Sequence, residues 1–210
     1  MATIFMKKIT ERIYKQPTSN KLDKALKARA DLLLENATIA MQRDFEEHPV
    51  TREIDGGIGS ANISNTLGGG SAPKNLFSFI GFDGGSDPLN PIRKRLYSDK
   101  QGGITMVKIG QDTRGTSIRY QFKVSAPFEQ IYKETPIPWA KGLSWAEKIE
   151  TDIPGFSKFL PAYGLKNSRS GGGVQLENDV RSESFTPPEG GYLKGIFEKF
   201  VERIKGGFKQ

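Results

Sequence analysis

The chain has 210 residues, of which 36% are hydrophobic and 26% charged, so it is long enough for one domain with a core and long excursions. It contains no cysteine and a single histidine, which excludes disulfides, thiolate metal sites and metal sites built from several histidines. The formal net charge of +7 favours an acidic partner. No apolar run reaches the roughly 20 residues that a helix needs to cross a bilayer, so we expect no membrane partner.

Two helices are predicted in the first 50 residues. Phe5, Ile9 and Ile13 recur every four residues and predict a short amphipathic helix with a basic side. A longer helix is predicted from apolar residues at steps of three or four, and it should end near Pro49, because the residue before a proline avoids the helical region. The stripe that predicts this core helix consists of Leu22, Leu26, Ala30, Leu33, Ala37, Met41 and Phe45.

A glycine-rich segment, residues 55–75, follows the long helix. Across its 21 residues only Asp55 and Lys74 are charged and six are glycine. Loops longer than about 12–15 residues are uncommon inside a compact domain. We therefore interpret this segment as an arm that becomes ordered only against a neighbouring subunit, which favours an assembly protein over an enzyme. The contact residues predicted on this arm are Ile58, Asn62, Ile63, Asn65 and Leu67.

The middle of the chain predicts an antiparallel sheet that packs on the long helix. The apolar run 76–82 reads as a buried strand, and 104–109 reads as the next strand. Residues 118–124 alternate strictly between apolar and polar, which is typical of a strand with one buried face and one wet face. A glycine-bearing hairpin loop is predicted over residues 110–116.

The wet face of this hairpin is predicted to be basic. Arg114, Arg119 and Lys123 fall on it, and they are candidates for a face that contacts DNA in a channel. Both ends of the chain are also basic, which suits solvated helix faces, an acidic protein ring or a phosphate backbone.

The last 85 residues predict two helices, a second irregular segment and a terminal helix. Phe128 to Glu134 reads as a short helix, and Ser144 to Glu147 fits a capping box at the start of another. Trp139 and Trp145 are either core residues or anchors at a subunit interface. A docking strap is predicted over 167–190, with Arg169 as an interface residue, followed by an amphipathic C-terminal helix over 191–206.

The sequence offers no chemistry that points to catalysis. His48 stands beside the proline that ends a helix, so a structural role is expected for it. The glycines at 57 and 59 lack the third glycine of a dinucleotide fingerprint, and no glycine loop leads into a phosphate-binding lysine. We therefore expect no enzyme, and no catalytic, cofactor-binding or metal residues.

Several short motifs resemble the neck proteins of tailed bacteriophages, above all those of T-even-like contractile-tailed phages. The motifs are residues 47–54 (EHPVTREI), 62–69 (NISNTLGG), 75–82 (NLFSFIGF), 136–150 and 168–173. The likeness covers residues 25 to 180 and has no catalytic meaning.

This resemblance implies a structural virion protein at the junction of head and tail. It implies an oligomeric ring of six or twelve copies below the portal, assembled in the host cytoplasm, that joins head to tail and helps to retain or pass DNA. The implied partners are other neck, portal and tail-terminator proteins, with non-specific contact to genomic DNA. It also implies a single α+β domain, in which a long N-terminal helix packs on a small antiparallel sheet with extended arms. The alternative is a sequence-independent nucleic-acid-binding protein.

Overall fold

The structure is a computed structural model that describes residues 7–14, 19–68, 75–97, 103–114, 117–153, 158–161, 168, 173–178 and 185–208. Of residues 7–14, 19–22, 111–114, 117–119, 159, 161 and 175 it describes the backbone alone. The helices are α1 Ser19–Glu47, α2 Pro49–Asp55, α3 Leu76–Ile80, α4 Asn90–Tyr97, α5 Phe128–Glu134, α6 Trp145–Lys148 and α7 Leu193–Phe208. The strands are β1 Lys7–Tyr14, β2 Thr105–Arg114, β3 Ser117–Ser125, β4 Pro136–Ile137, β5 Ala140–Ser144, β6 Phe159–Pro161 and β7 Gly173–Gln175.

Helix α1 packs against the C-terminal helix α7, and the two run in opposite directions. At one end the ring of Phe45 stacks on Tyr192 with 6.1 Å between centroids, and at the other Arg29 donates a hydrogen bond to the carbonyl of Gly207. The apolar stripe predicted on α1 faces this contact. Its fully buried members are Leu26, Ala30, Ala37, Met41 and Phe45.

A three-stranded antiparallel sheet, in the order β1-β3-β2, lies on the helix pair. Its inner face includes the buried side chains of Tyr120, Phe122 and Val124, and the Phe122 ring stacks on Phe208 of α7 at 5.4 Å. Lys108 of β2 forms an ion pair with Asp23 of α1 at 3.2 Å. The predicted α+β class, with a long helix on a small antiparallel sheet and an amphipathic C-terminal helix, is confirmed.

Two elements differ in type from the prediction. Residues 7–14 are strand β1 rather than part of an amphipathic helix, because pairing with β3 places Ile9 opposite Phe122. Residues 76–80 are helix α3 rather than a strand. The Asn75 side chain accepts a hydrogen bond from the N–H of Ser78 at the start of α3, and Gly81 ends the helix in the left-handed region with φ 78°.

The predicted loop over residues 110–116 is wrong in length. Strand β2 continues to Arg114 and β3 begins at Ser117, so only two residues separate the strands. Gly110 lies inside β2, where the register with β3 shifts between Lys108 and Gly110. The glycine marks a β-bulge rather than a turn.

Other predicted elements are confirmed with small changes of boundary. Strand β3 and helix α5 occupy the predicted places, and the Ser144 hydroxyl accepts a hydrogen bond from the N–H of Glu147 at the start of α6. Helix α7 runs two residues later at each end than the predicted 191–206. Its buried residues include Ile196, Phe200 and Ile204, which recur every four positions as the sequence pattern requires.

The predicted strap over residues 167–190 is described only in part. Strand β7 pairs with β6 in a two-stranded antiparallel ribbon. Near the end of the strap, Phe185 is buried and forms an isolated antiparallel bridge with Leu67. These described parts of the strap therefore contact their own chain.

Candidate functional site

One buried carboxylate, that of Glu53 on α2, holds the glycine-rich segment near its middle and at its C-terminal end. The Glu53 side chain is fully buried. Its Oε2 accepts a hydrogen bond from the backbone N–H of Ser64, and its Oε1 accepts one from the backbone N–H of Leu76, both at 2.7 Å. This one side chain therefore holds the backbone of Ser64 close to the backbone of Leu76. We call Glu53, Ser64, Asn75 and Leu76 the Glu53 junction.

Asn75 adds a second set of hydrogen bonds to the Glu53 junction. Its side chain is buried, and its Nδ2 donates to the carbonyls of Ile58 at 3.0 Å and Ser60 at 2.9 Å. Its Oδ1 accepts from the N–H of Ser78, which caps α3. Asn75 therefore joins the start of α3 to the short 3₁₀ turn at residues 57–59.

Two opposing effects act on the charge state of Glu53. Burial raises the pKa of this carboxyl, while hydrogen bonds from Ser64, Leu76 and Ile63 act in the opposite direction and are the smaller influence. Because backbone N–H groups occupy both oxygens, this carboxylate has the geometry of an anchor for the loop. It is not placed as a base that could approach a substrate.

The predicted arm is ordered on its own chain over residues 55–68, so the prediction that it needs a neighbouring subunit to gain order is wrong there. The reason is the Glu53 junction, together with a backbone hydrogen bond from Thr186 to Thr66 at 2.8 Å. The composition of the arm does not predict this order, because the charged group that holds it, Glu53, precedes the arm and lies on α2. Residues 69–74 lie outside the described residues.

The interface residues predicted on this arm differ in their exposure. Ile58 and Ile63 expose 38% and 39% of their surface, and Asn65 is exposed with φ 55°. Asn62 is half-buried and donates to the carbonyl of Leu67 at 2.7 Å. Leu67 itself is buried in the chain, so the prediction that it contacts a neighbour is wrong.

The two tryptophans have different roles. Trp145 is only 1% exposed and packs between Phe82 and Tyr192, so its prediction as an interface residue is wrong and the core alternative is confirmed. Trp139 is half-buried and donates from its indole nitrogen to the carbonyl of Ile80 at 2.9 Å. Arg169 lies outside the described residues.

The outer face of the sheet carries the predicted basic positions. Lys123 is half-buried on β3, on the face opposite Phe122, and the strand register places Arg119 and Arg114 on the same face. The structure describes only the backbone of those two arginines.

Strand β1 adds two basic positions that the sequence prediction missed. Lys8 stands directly opposite Lys123, and Arg12 stands directly opposite Arg119. The sequence carries little signal for them, because Lys7 and Glu11 are charged at positions where a half-buried strand would be apolar. The outer sheet face, defined as the positions Lys8, Arg12, Arg114, Arg119 and Lys123, therefore spans all three strands.

His48 has the structural role expected for it. Its Nδ1 accepts a hydrogen bond from the N–H of Val50 at the start of α2, and its Nε2 donates to the carbonyl of Gly191, both at 3.2 Å. Burial lowers the pKa of this imidazole, which favours the neutral ring that both bonds require. Among the residues that the structure describes, no group of three or more His, Asp or Glu is placed to hold a metal ion.

Comparison with protein-family models, with curated proteins and with solved structures finds no match. Within the described part of the chain, no helix combines the length and the apolar character needed to span a membrane.

Proposed function

We propose that this chain is a structural virion protein of the neck of tailed bacteriophages, in which it forms a ring at the head–tail junction. In this role it joins the portal to the tail and helps to retain or pass DNA. The observation that carries the proposal is that three motifs of the resemblance meet at the Glu53 junction. Glu53 belongs to the motif at 47–54, Ser64 to that at 62–69, and Leu76 to that at 75–82.

The meeting of these motifs gives them a structural role in this chain that needs no catalytic chemistry. They hold the described part of this loop, residues 55–68, on its own chain, so that Ile58 and Ile63 are exposed in a set position. A preformed contact loop loses less conformational entropy when a partner binds. This is the geometry expected of a protein that meets neighbours in an assembly.

The apolar side chains on β2 also support an assembly role. Val107 and Ile109 expose 55% and 52% of their surface. Exposed apolar residues are common singly, but neighbouring ones on a strand suit contact with another protein. Together with the loop, they give the chain two separate surfaces for partners, as a connecting ring requires.

The test of the proposal is a phage that lacks the gene for this chain. We expect filled heads and complete tails that remain separate in electron micrographs, with joining restored when the chain is supplied from a plasmid. The purified chain, alone or with its portal, is expected to form particles with the mass of six or twelve copies. Joined, infectious particles that lack the chain would contradict the proposal.

A second function, sequence-independent binding of nucleic acid, is favoured by the outer sheet face. Like charges directly opposite each other across a sheet are destabilising. Here two such pairs, Lys8 with Lys123 and Arg12 with Arg119, occupy one face, and the acidic position Asp112 on β2 stands opposite Arg119 alone, so the first pair has no acidic position opposite it. An anionic backbone would offset this repulsion, and contacts to phosphate carry no sequence information.

We expect Lys123→Glu to weaken binding of duplex DNA by the full-length chain and to lower the slope of log affinity against log salt by about 1–2, because it replaces a phosphate contact by a repulsion. The measurement is fluorescence anisotropy with labelled duplexes of two unrelated sequences. Lys141→Glu is the matched control, because Lys141 is exposed on β5, away from the outer sheet face. Equal losses in the two variants would show that only the net charge matters.

A further inference from the structure

The single histidine of the chain connects three helices. His48 lies between the end of α1 and the start of α2, and its Nδ1 accepts a hydrogen bond from the backbone N–H of Val50 at 3.2 Å. On the other side of the ring, Nε2 donates to the carbonyl of Gly191, two residues before α7 begins. We call His48, Val50 and Gly191 the His48 joint.

The two partners of the ring determine its protonation state. A backbone carbonyl can only accept a hydrogen bond, so the proton of the neutral ring lies on Nε2. A backbone N–H can only donate, so Nδ1 must keep its lone pair. The N–H of Val50 is one of the groups at the start of a helix that have no partner inside the helix. A ring with protons on both nitrogens therefore cannot cap α2.

The groups packed around the ring do not compensate for a positive charge. The ring is half-buried, and its centroid lies 5.0 Å from that of Tyr192, which stays neutral because burial raises its pKa. Lys199 of α7 is a second positive charge that acts on the ring. Glu150 lies close to Gly191, but its two oxygens already accept hydrogen bonds from the N–H groups of Tyr192 and Lys194.

The charged groups near His48 in the chain also leave the ring without a counter-ion. On α1, Asp44 pairs with Arg203, and Glu47 is exposed and forms no ion pair with the ring. On α2, Arg52 is exposed and positive. Among the residues that the structure describes, no carboxylate is therefore paired with the ring.

The start of α2 affects the glycine-rich segment because the same helix carries Glu53. Helix α2 has only seven residues, and helices this short depend on their caps and on tertiary contacts. The Glu53 carboxylate accepts the hydrogen bonds of Ser64 and Leu76 that order the segment. A change at the first turn of α2 is therefore transmitted to residues 55–68.

We propose that the His48 joint is an acid-sensitive switch, in which a second proton on the ring releases the start of α2 and, with it, the Glu53 side chain that orders residues 55–68. The proton comes from the solvent and occupies Nδ1, so the hydrogen bond from Val50 is lost while the bond from Nε2 to Gly191 remains. The α1–α7 pair stays packed, because the residues between the two helices are apolar and buried.

The pKa of His48 gives the direction of the effect. Burial is the main influence and lowers this pKa below its ordinary value of 6.5, while the bond to Gly191 opposes the shift and Lys199 adds to it. The stability that the neutral ring contributes is therefore fully present above about pH 6.5 and is lost as pH falls through the folded pKa. Protonation of Glu53 has the opposite sign, so the native chain must be compared with a His48 variant at each pH.

The first experiment is a titration of the full-length chain followed by proton NMR. Because the chain has one histidine, the proton on its Cε1 gives a single signal. We expect the midpoint of this signal in the folded chain to lie below its midpoint in the chain unfolded by urea. A folded midpoint equal to or above the unfolded one would overturn the proposal.

The second experiment is hydrogen exchange at pH 7 and pH 5, read by mass spectrometry for peptides from residues 49–68. His48→Asn is the matched control, because asparagine is a good helix cap and has no proton to gain in this range. From pH 7 to pH 5, the ratio of the native exchange rate to that of His48→Asn should rise about fivefold, the effect of losing one helix cap. Peptides from residues 26–45 and 196–204 should show no such rise.

A ratio that does not change with pH, or one that rises equally in the α1–α7 peptides, would overturn the proposal. If circular dichroism at pH 7 shows that His48→Asn does not fold, His48→Gln, which also has no proton to gain, takes its place. The switch goes beyond the proposed function and is measured on the purified chain, so either result leaves the phage experiment unaffected.

Discussion

Replacing Glu53 by alanine is expected to lower the free energy of unfolding by roughly 3–5 kcal/mol near neutral pH. The substitution removes the acceptor of two backbone N–H groups, a half-buried one on Ser64 and a buried one on Leu76, and each unsatisfied donor costs about 1–3 kcal/mol. The loss is measured by urea denaturation, followed by the fluorescence of Trp145, which lies in the core.

Two variants control for this effect. Glu47→Ala changes an exposed glutamate close to Glu53 in the chain and should alter stability by less than about 0.5 kcal/mol. Glu53→Gln keeps one oxygen acceptor but turns an N–H donor toward a second donor, so an intermediate loss is expected. If Glu53→Ala were as mild as Glu47→Ala, the junction would not order the loop.

The pH dependence of this junction has a definite sign. Burial raises the pKa of Glu53 above its unfolded value, so the stability linked to its protonation is fully present below about pH 4.3 and falls as pH rises through the folded pKa. The stability advantage of the native chain over Glu53→Gln should therefore shrink over that window. Glu46 behaves in the opposite way, because Arg93 lowers its pKa and its contribution is lost as pH falls.

Gly195→Ala is expected to destabilise the chain by roughly 3 kcal/mol, because the added methyl group has no room. A Cβ at this position of α7 would lie 2.0 Å from the carbonyl oxygen of Gly190. That carbonyl belongs to a turn in which Gly190 and Gly191 have φ of 74° and 76°, a region that favours glycine, so the turn cannot easily move. Thermal and urea denaturation measure the loss.

Gly206→Ala, in the same helix, is the matched control with the opposite expected sign. A Cβ at Gly206 would meet nothing within 4 Å, so alanine should stabilise α7 by about 0.5–1 kcal/mol through its higher helix propensity. Equal effects of the two substitutions would show that the contact with Gly190 does not restrict α7.

Elements with long repeating patterns were predictable from the sequence. The stripe of α1 and the period of four in α7 each repeat over four or more turns, and β3 alternates over seven residues. Such repetition identifies one face of an element whatever lies opposite it. The capping serine of α6 was predictable for a similar reason, because a cap is a local interaction.

Short or uniform segments were not predictable in the same way. In residues 7–14 the apolar positions Ile9 and Ile13 are four apart, a spacing that suits one face of a helix and one face of a strand alike. Pairing with β3, more than 100 residues away, decides for the strand. The run 76–80 is almost wholly apolar, so periodicity carries no signal there, and the caps at Asn75 and Gly81 decide for a helix.

The features of the candidate site also separate into those that the sequence predicts and those that depend on the tertiary structure. The sequence by itself determined the long helices, the alternating strand, the lack of cysteine and the basic residues Arg114, Arg119 and Lys123. Only the tertiary structure decided that residues 55–68 of the glycine-rich segment fold on their own chain, and that Lys8 and Arg12 join the outer sheet face. The physical reason is that a periodic pattern records which face of an element is buried, whereas a buried carboxylate and a strand register depend on groups far apart in the chain.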